Sequence, residues 1–141
     1  MPYLRIDLVG PIDPDIRRRL LVESAQLFAD LIDSDIARVR TLVNEFPADS
    51  FAVGGVPCSE SGEQAPYITL DLFEGRPDEQ HRALCEQIPR LVADIVGCPL
   101  QGIRLRINEV FPGGWSIGGE QASRKRRAEI DARAAQQAQQ Q

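Results

Sequence analysis

Two stretches of this chain alternate polar and apolar residues, and each is followed by a longer run with a different period. Residues 2–9 (Pro-Tyr-Leu-Arg-Ile-Asp-Leu-Val) and 66–73 carry apolar side chains at every second position, the period of a strand with one buried face. Residues 15–32 place Ile16, Leu20, Leu21, Leu27, Phe28 and Leu31 at helical spacing, and residues 78–96 do the same with Leu84, Ile88, Leu91, Val92 and Ile95. Asp78 and Glu79 suit the positive end of the second helix. Further strands are predicted over 38–46 and 102–110, which are rich in Val, Leu and Ile.

The recurrence is a duplication. Displaced by 64 positions against itself, the chain matches without a gap: Pro2-Tyr3 falls on Pro66-Tyr67, Asp7-Leu8 on Asp71-Leu72, and Arg40 on Arg104. Asn44-Glu45 falls on Asn108-Glu109, Gly54-Gly55 on Gly118-Gly119, and Phe51 on Trp115. Each copy reads β-α-β, and the long crossover implies a parallel strand pair connected right-handedly. The expected fold is α/β (α+β): two tandem units in one four-stranded mixed sheet, with two helices on one face. Residues 1–127 form one domain on this reading, with units at 2–55 and 66–119 and a polar linker at 56–65. The Ala/Gln-rich tail, 128–141, reads as disordered rather than as a helical extension. Pro89 sits inside the second helix, removes the bond to the Cys85 carbonyl, and is expected to kink it.

Composition narrows the function. At 141 residues and 43% hydrophobic content the chain can bury a core. No run of eighteen apolar residues occurs, so no membrane span and no membrane partner is expected. The absence of a secretory pattern behind Met1 suggests a cytoplasmic protein. A net charge of −5 argues against nucleic acid as a partner, and the run Arg124-Lys125-Arg126-Arg127 reads as a solvated or subunit-contact face. Cys58, Cys85 and Cys98 lack paired metal spacing and read as reduced thiols. His81 is the only histidine and reads as a solvated surface residue, so neither a Ser-His-Asp triad nor a metal site is expected.

The chemistry that remains is at the amino terminus. Methionine removal ahead of Pro2 would expose a secondary amine. Burial among cations would disfavour its protonated form and leave a general base near neutral pH.

The run Leu72-Phe-Glu-Gly-Arg-Pro-Asp-Glu-Gln80, together with Pro99-Leu100, Ile103-Arg104, Asn108-Glu109 and residues 115–123 (Trp-Ser-Ile-Gly-Gly-Glu-Gln-Ala-Ser), resembles the 4-oxalocrotonate tautomerase family. The first copy resembles the same unit more distantly, so the chain resembles a fused, tandem member of the tautomerase superfamily. The resemblance implies a cofactor-independent, metal-free isomerase. It would ketonise a 2-hydroxydienoate such as 2-hydroxymuconate, in the catabolism of aromatic compounds. Its partner would be a small 2-oxo or 2-hydroxy (di)carboxylate, and a homotrimer would replace the hexamer of single-unit relatives.

The resemblance also implies roles. Pro2 is the general base, whereas Pro66 follows Ala65 in peptide linkage and is an inert amide. The carboxylate-binding arginine falls on Arg76, and the first copy has Gly10-Pro11-Ile12 in its place. This asymmetry agrees with one working site per chain. The arginine that holds the other carboxylate and the developing enolate oxygen falls on both Arg40 and Arg104, and the choice between them stays open. The apolar wall falls on Phe51 and Trp115, of which the same logic selects Trp115. Rival readings are a decarboxylase of malonate semialdehyde type, a haloacrylate dehalogenase or hydratase, and a non-catalytic oligomeric scaffold. Apolar Val53 and Ile117, where a water-activating carboxylate would sit, count against the haloacrylate reading.

Overall fold

The computed structural model describes residues 1–140. The first unit comprises β1 (Tyr3–Gly10), α1 (Pro14–Leu31) and β2 (Arg40–Pro47), then a hairpin of β3 (Ala52–Val53) and β4 (Val56–Pro57), and the short α2 (Cys58–Ser61). The second repeats it with β5 (Tyr67–Phe73), α3 (Asp78–Val96), β6 (Arg104–Val110), β7 (Ser116–Ile117), β8 (Glu120–Gln121) and α4 (Ala122–Lys125). A final helix, α5 (Arg127–Gln140), has no counterpart in the first unit.

The sheet order is β2-β1-β5-β6. β1 runs parallel to β2 and β5 parallel to β6, while β1 and β5 are antiparallel. In that central pair Arg5 lies opposite Thr69, its own counterpart in the other repeat, so a local two-fold axis passes between them. Alternation decides the faces. Leu4, Ile6 and Leu8 of β1 and Ile68, Leu70 and Leu72 of β5 are fully or almost fully buried. They pack against Leu20 and Phe28 of α1 and Leu84, Ile88 and Val92 of α3. Both helices therefore cover one face, and the opposite face leaves Leu42 at 43% and Tyr67 at 36% exposure.

The duplication extends to individual hydrogen bonds. Asn44 donates to Asp7 and Asn108 to Asp71, both at 3.0 Å. The Cys58 amide donates to the Phe51 carbonyl at 2.7 Å, and the Ala122 amide to Trp115 at 2.9 Å. Helix α1 opens on Asp13, whose side chain caps the Asp15 amide, and ends through Asp33 at φ 51°; α3 ends at Gly97, the counterpart, at φ 78°. Glycine enters this left-handed region at little cost, so an aspartate there is a departure from the local rule.

Several expectations change. The second strands begin at Arg40 and Arg104, because residues 36–38 and 100–102 form single 3₁₀ turns first. The stretch read as linker contributes β4 and α2. The tail read as disordered is helical to Gln140, with half-buried residues at 126, 130, 133 and 137 along one side. Helix α3 runs unbroken through buried Pro89. His81 is half-buried, with Nδ1 3.2 Å from the Pro77 carbonyl and Nε2 2.7 Å from Glu109. It takes the place that Arg17 holds against Glu45, at 2.7 Å, in the first unit.

Candidate active site

Pro2 is buried at the start of β1, where its carbonyl accepts the Arg40 amide at 3.0 Å. Pro66 accepts the Arg104 amide in the same way, at 3.2 Å. Because β1 and β5 are antiparallel, these two prolines lie at opposite ends of the sheet, about 20 Å apart at the rise of a seven-residue strand. Arg40 is therefore on the Pro2 side and Arg104 on the Pro66 side. Both side chains turn back on local carbonyls, Arg40 on Ala37 at 3.2 Å and Arg104 on Gln101 at 2.7 Å.

At the Pro2 end Met1 enters a cavity of about 350 Å³ lined by Arg38, Arg76, Arg126 and Arg133, with Phe73 as an apolar wall and Asp33, Asp35 and Glu129 as acidic members. Burial, and then the charges of Arg40, Arg126 and Arg38, hold the terminal amine below its ordinary value of 8.0. Arg76 follows Gly75, whose φ of 98° turns the chain out of β5 toward α3. Its Nη1 donates to the Ile32 carbonyl at 2.7 Å and to Gln80 at 3.3 Å, while its Nε is buried without a partner. Burial pushes Arg76 down to about 10, with the charge of Arg133 adding to the shift and Asp33 opposing it. A contiguous cavity of about 320 Å³ opens on the far side of Arg76 and Arg133, toward Gln80 and Gln137.

The two-fold axis makes the Pro66 end a built-in control. A cavity of about 670 Å³ stands there, lined by Gly62, Ala65, Gly97, Cys98 and Gly102. Position by position these replace Arg126, Met1, Asp33, Ser34 and Arg38 of the first cavity. Ile12 takes the place of Arg76. Gln64 closes against β1 there, accepting from the Val9 amide at 2.9 Å and donating to its carbonyl at 2.7 Å. The larger cavity is thus the one that lacks the arginine cluster.

Trp115 lies edge-on to Tyr3, with ring centroids 5.9 Å apart at 66°, beside Pro2 in sequence. Phe51 instead packs on Phe46 within its own unit, at 6.3 Å. The structure thus brings Arg76 to the amino-terminal cavity and leaves Arg104 at the other end. It adds Arg38, Arg126, Glu129 and Arg133, which sequence reasoning missed. Nothing local marks Arg38, whose ion pair with Glu129 spans 91 residues. Nor does the sequence mark α5, whose half-buried positions are Ile130, Arg133 and Gln137 rather than an apolar stripe. Among the described residues no group of three or more His, Cys, Asp or Glu could hold a metal ion, and no helix is long and apolar enough to cross a membrane.

Residues 66–125 match the family model described as tautomerase enzyme. A probable tautomerase of Bacillus cereus is 35% identical over 60 residues, covering 43% of this chain and 98% of the relative. A 2-hydroxymuconate tautomerase of Pseudomonas sp. (strain CF600) is 39% identical over 62 residues, covering 44% of this chain and 98% of the relative. The similarity to solved structures spans both units. Native fused 4-OT superimposes with a TM-score of 0.82 at 29% identity, covering 86% of this chain and 97% of the other. A fused 4-OT solved as an asymmetric trimer does so with 0.81 at 28% identity, covering 87% and 98%.

Proposed function

The chain belongs to the tautomerase family as a fused member of the 4-oxalocrotonate tautomerase type and is an isomerase, and from this premise we propose that it ketonises a 2-hydroxydienoate such as 2-hydroxymuconate with the amine of Pro2 as the base. Removal of Met1 makes Pro2 a secondary amine in the surroundings that hold the Met1 amine low. The neutral nitrogen takes the proton of the 2-hydroxyl group, the electron pair moves through the diene, and the resulting ammonium returns the proton to carbon. The product is the conjugated 2-oxo acid, with no net change in atoms or charge. Arg76 binds the carboxylate remote from the reacting oxygen by charge-assisted hydrogen bonds. Arg40, or Arg104 of a neighbouring chain, binds the near carboxylate and the developing oxyanion. Trp115 excludes water from the amine.

The single observation that carries this reading is the meeting of the amino terminus and Arg76 in one cavity, when the equivalent cavity at Pro66 keeps Arg104 but has glycines in place of Arg38 and Arg126. A homotrimer of fused chains fits the half-exposed sheet face, and a trimer is the form in which the fused 4-OT at 28% identity was solved. A cytoplasmic role in breaking down aromatic compounds follows from the same substrate class. The test is steady-state absorbance with 2-hydroxymuconate, on protein shown by intact mass to lack Met1. Ketonisation well above the uncatalysed rate, lost in Pro2→Ala and Arg76→Ala, supports the proposal. Native-like turnover by both variants refutes it.

A further inference from the structure

The family match ends at residue 125, yet the wall of the amino-terminal cavity does not. Helix α5 supplies that wall, and its side chains at 129, 133 and 137 fall one turn apart on a single face. Glu129 takes both Nη atoms of Arg38, at 2.9 and 3.0 Å. Gln137 Nε2 donates to the carbonyl of Gly75, the residue before Arg76. The helix is therefore tied down on either side of Arg133, once to the first repeat and once to the loop that carries Arg76.

Arg133 itself lines the two cavities that share Arg76 and has no ion-pair or hydrogen-bond partner among the described residues. Of the acidic groups nearby, Glu129 is engaged by Arg38, and Asp35 accepts the Ala37 amide at 3.0 Å. Asp33 in both cavities and Glu79 in one are left facing Arg76, Arg126 and Arg133. Three arginines without ion-pair partners thus share two carboxylates, an excess of positive charge that an anionic ligand would balance.

We propose that Arg133 is a substrate-binding residue that joins Arg76 on the carboxylate remote from the reacting oxygen, so that α5 makes the site selective for dicarboxylates over monocarboxylates. This rests on the site proposed at Pro2 and adds a residue to it that lies outside the matched family unit. Arg76 and Arg133 form a two-armed clamp, whereas a substrate with one carboxylate leaves the clamp empty.

The ligand pair trans,trans-muconate and sorbate tests this directly, since the two share a six-carbon diene and differ by the second carboxylate. Calorimetry on the full chain reads their dissociation constants for the native protein, Arg133→Ala and Arg133→Lys. The native protein is expected to prefer muconate. Arg133→Ala should weaken muconate about tenfold, the scale of one lost charge-assisted bond, and leave sorbate within about twofold. Arg133→Lys should recover part of the loss, because a single cation replaces a fork. Equal losses on both ligands, no loss on either, or a native protein without preference would overturn the proposal. Because neither ligand is an enol, the result is independent of turnover. A protein that ketonises nothing but loses its muconate preference in Arg133→Ala sinks the tautomerisation proposed at Pro2 and keeps the clamp.

Discussion

Arg40 donates its backbone N–H to the carbonyl of Pro2 at 3.0 Å, and 64 residues later Arg104 repeats the bond to Pro66 at 3.2 Å. The backbone of the two ends is thus the same, while their chemistry is not. Pro2 has a cavity with Arg38, Arg76, Arg126 and Arg133, and Pro66 has one with glycines at the positions of Arg38 and Arg126. The fold keeps both ends, and side chains equip one.

Restoring the missing arginine should therefore gain nothing. Ile12→Arg places a carboxylate-binding group beside an amide nitrogen that cannot take a proton. Its kcat with 2-hydroxymuconate is expected to stay within about twofold of native, whereas Arg76→Ala should cost about 100-fold in kcat/KM. Steady-state kinetics on the two variants reads both outcomes.

The pH profile follows from the charge around the amine. The base works when neutral, and burial with Arg40, Arg126 and Arg38 nearby favours that form. The acid limb of kcat/KM should therefore lie below 8.0, the ordinary value for a terminal amine. Removing a cation restores the proton's hold, so Arg126→Ala should move the limb upward. A rate-against-pH series on the native protein and this variant checks the direction.

Asp33 sits at φ 51° where its counterpart Gly97 sits at φ 78°. Asp33→Gly is expected to raise stability by about 0.5–1 kcal/mol, the usual gain when glycine takes a left-handed helix end. Denaturant unfolding measures it. The same change removes the acidic group that opposes the downward shift of Arg76.

Gly10 is fixed by a neighbour rather than by φ. A Cβ there would stand 2.6 Å from the Cβ of Glu45, whose carboxylate holds the Ile12 amide at 2.8 Å and Arg17 at 2.7 Å. Gly10→Ala is expected to destabilise by about 1–3 kcal/mol through this overlap, read as a lowered Tm.

The strands and long helices were legible because burial imposes period two on β1 and β5 and helical period on α1 and α3. The duplication was legible because equivalent residues face equivalent neighbours. The motif singled out Arg76, and the absence of an arginine at Ile12 pointed it to the Pro2 end, where it lines one cavity with Met1. What stayed hidden depends on contacts between distant residues. His81 reads as a polar helix residue until Pro77 and Glu109 close around it. Helix α5 has only Ile130 and small alanines on a polar background, too little apolar pattern to predict an ordered helix. Its attachments, Glu129 to Arg38 and Gln137 to Gly75, exist only once the chain has folded.

The claim that each chain has one live base, at Pro2, is tested most directly by counting and locating that base. An electrophilic 2-oxo-3-alkynoate combines a carboxylate for the arginines with an alkyne that an amine attacks. Intact mass followed by peptide mapping should find a single adduct per chain, on the amino-terminal peptide, with Pro66 unmodified and activity lost in step. Adducts at another residue, or full modification with activity retained, would contradict it.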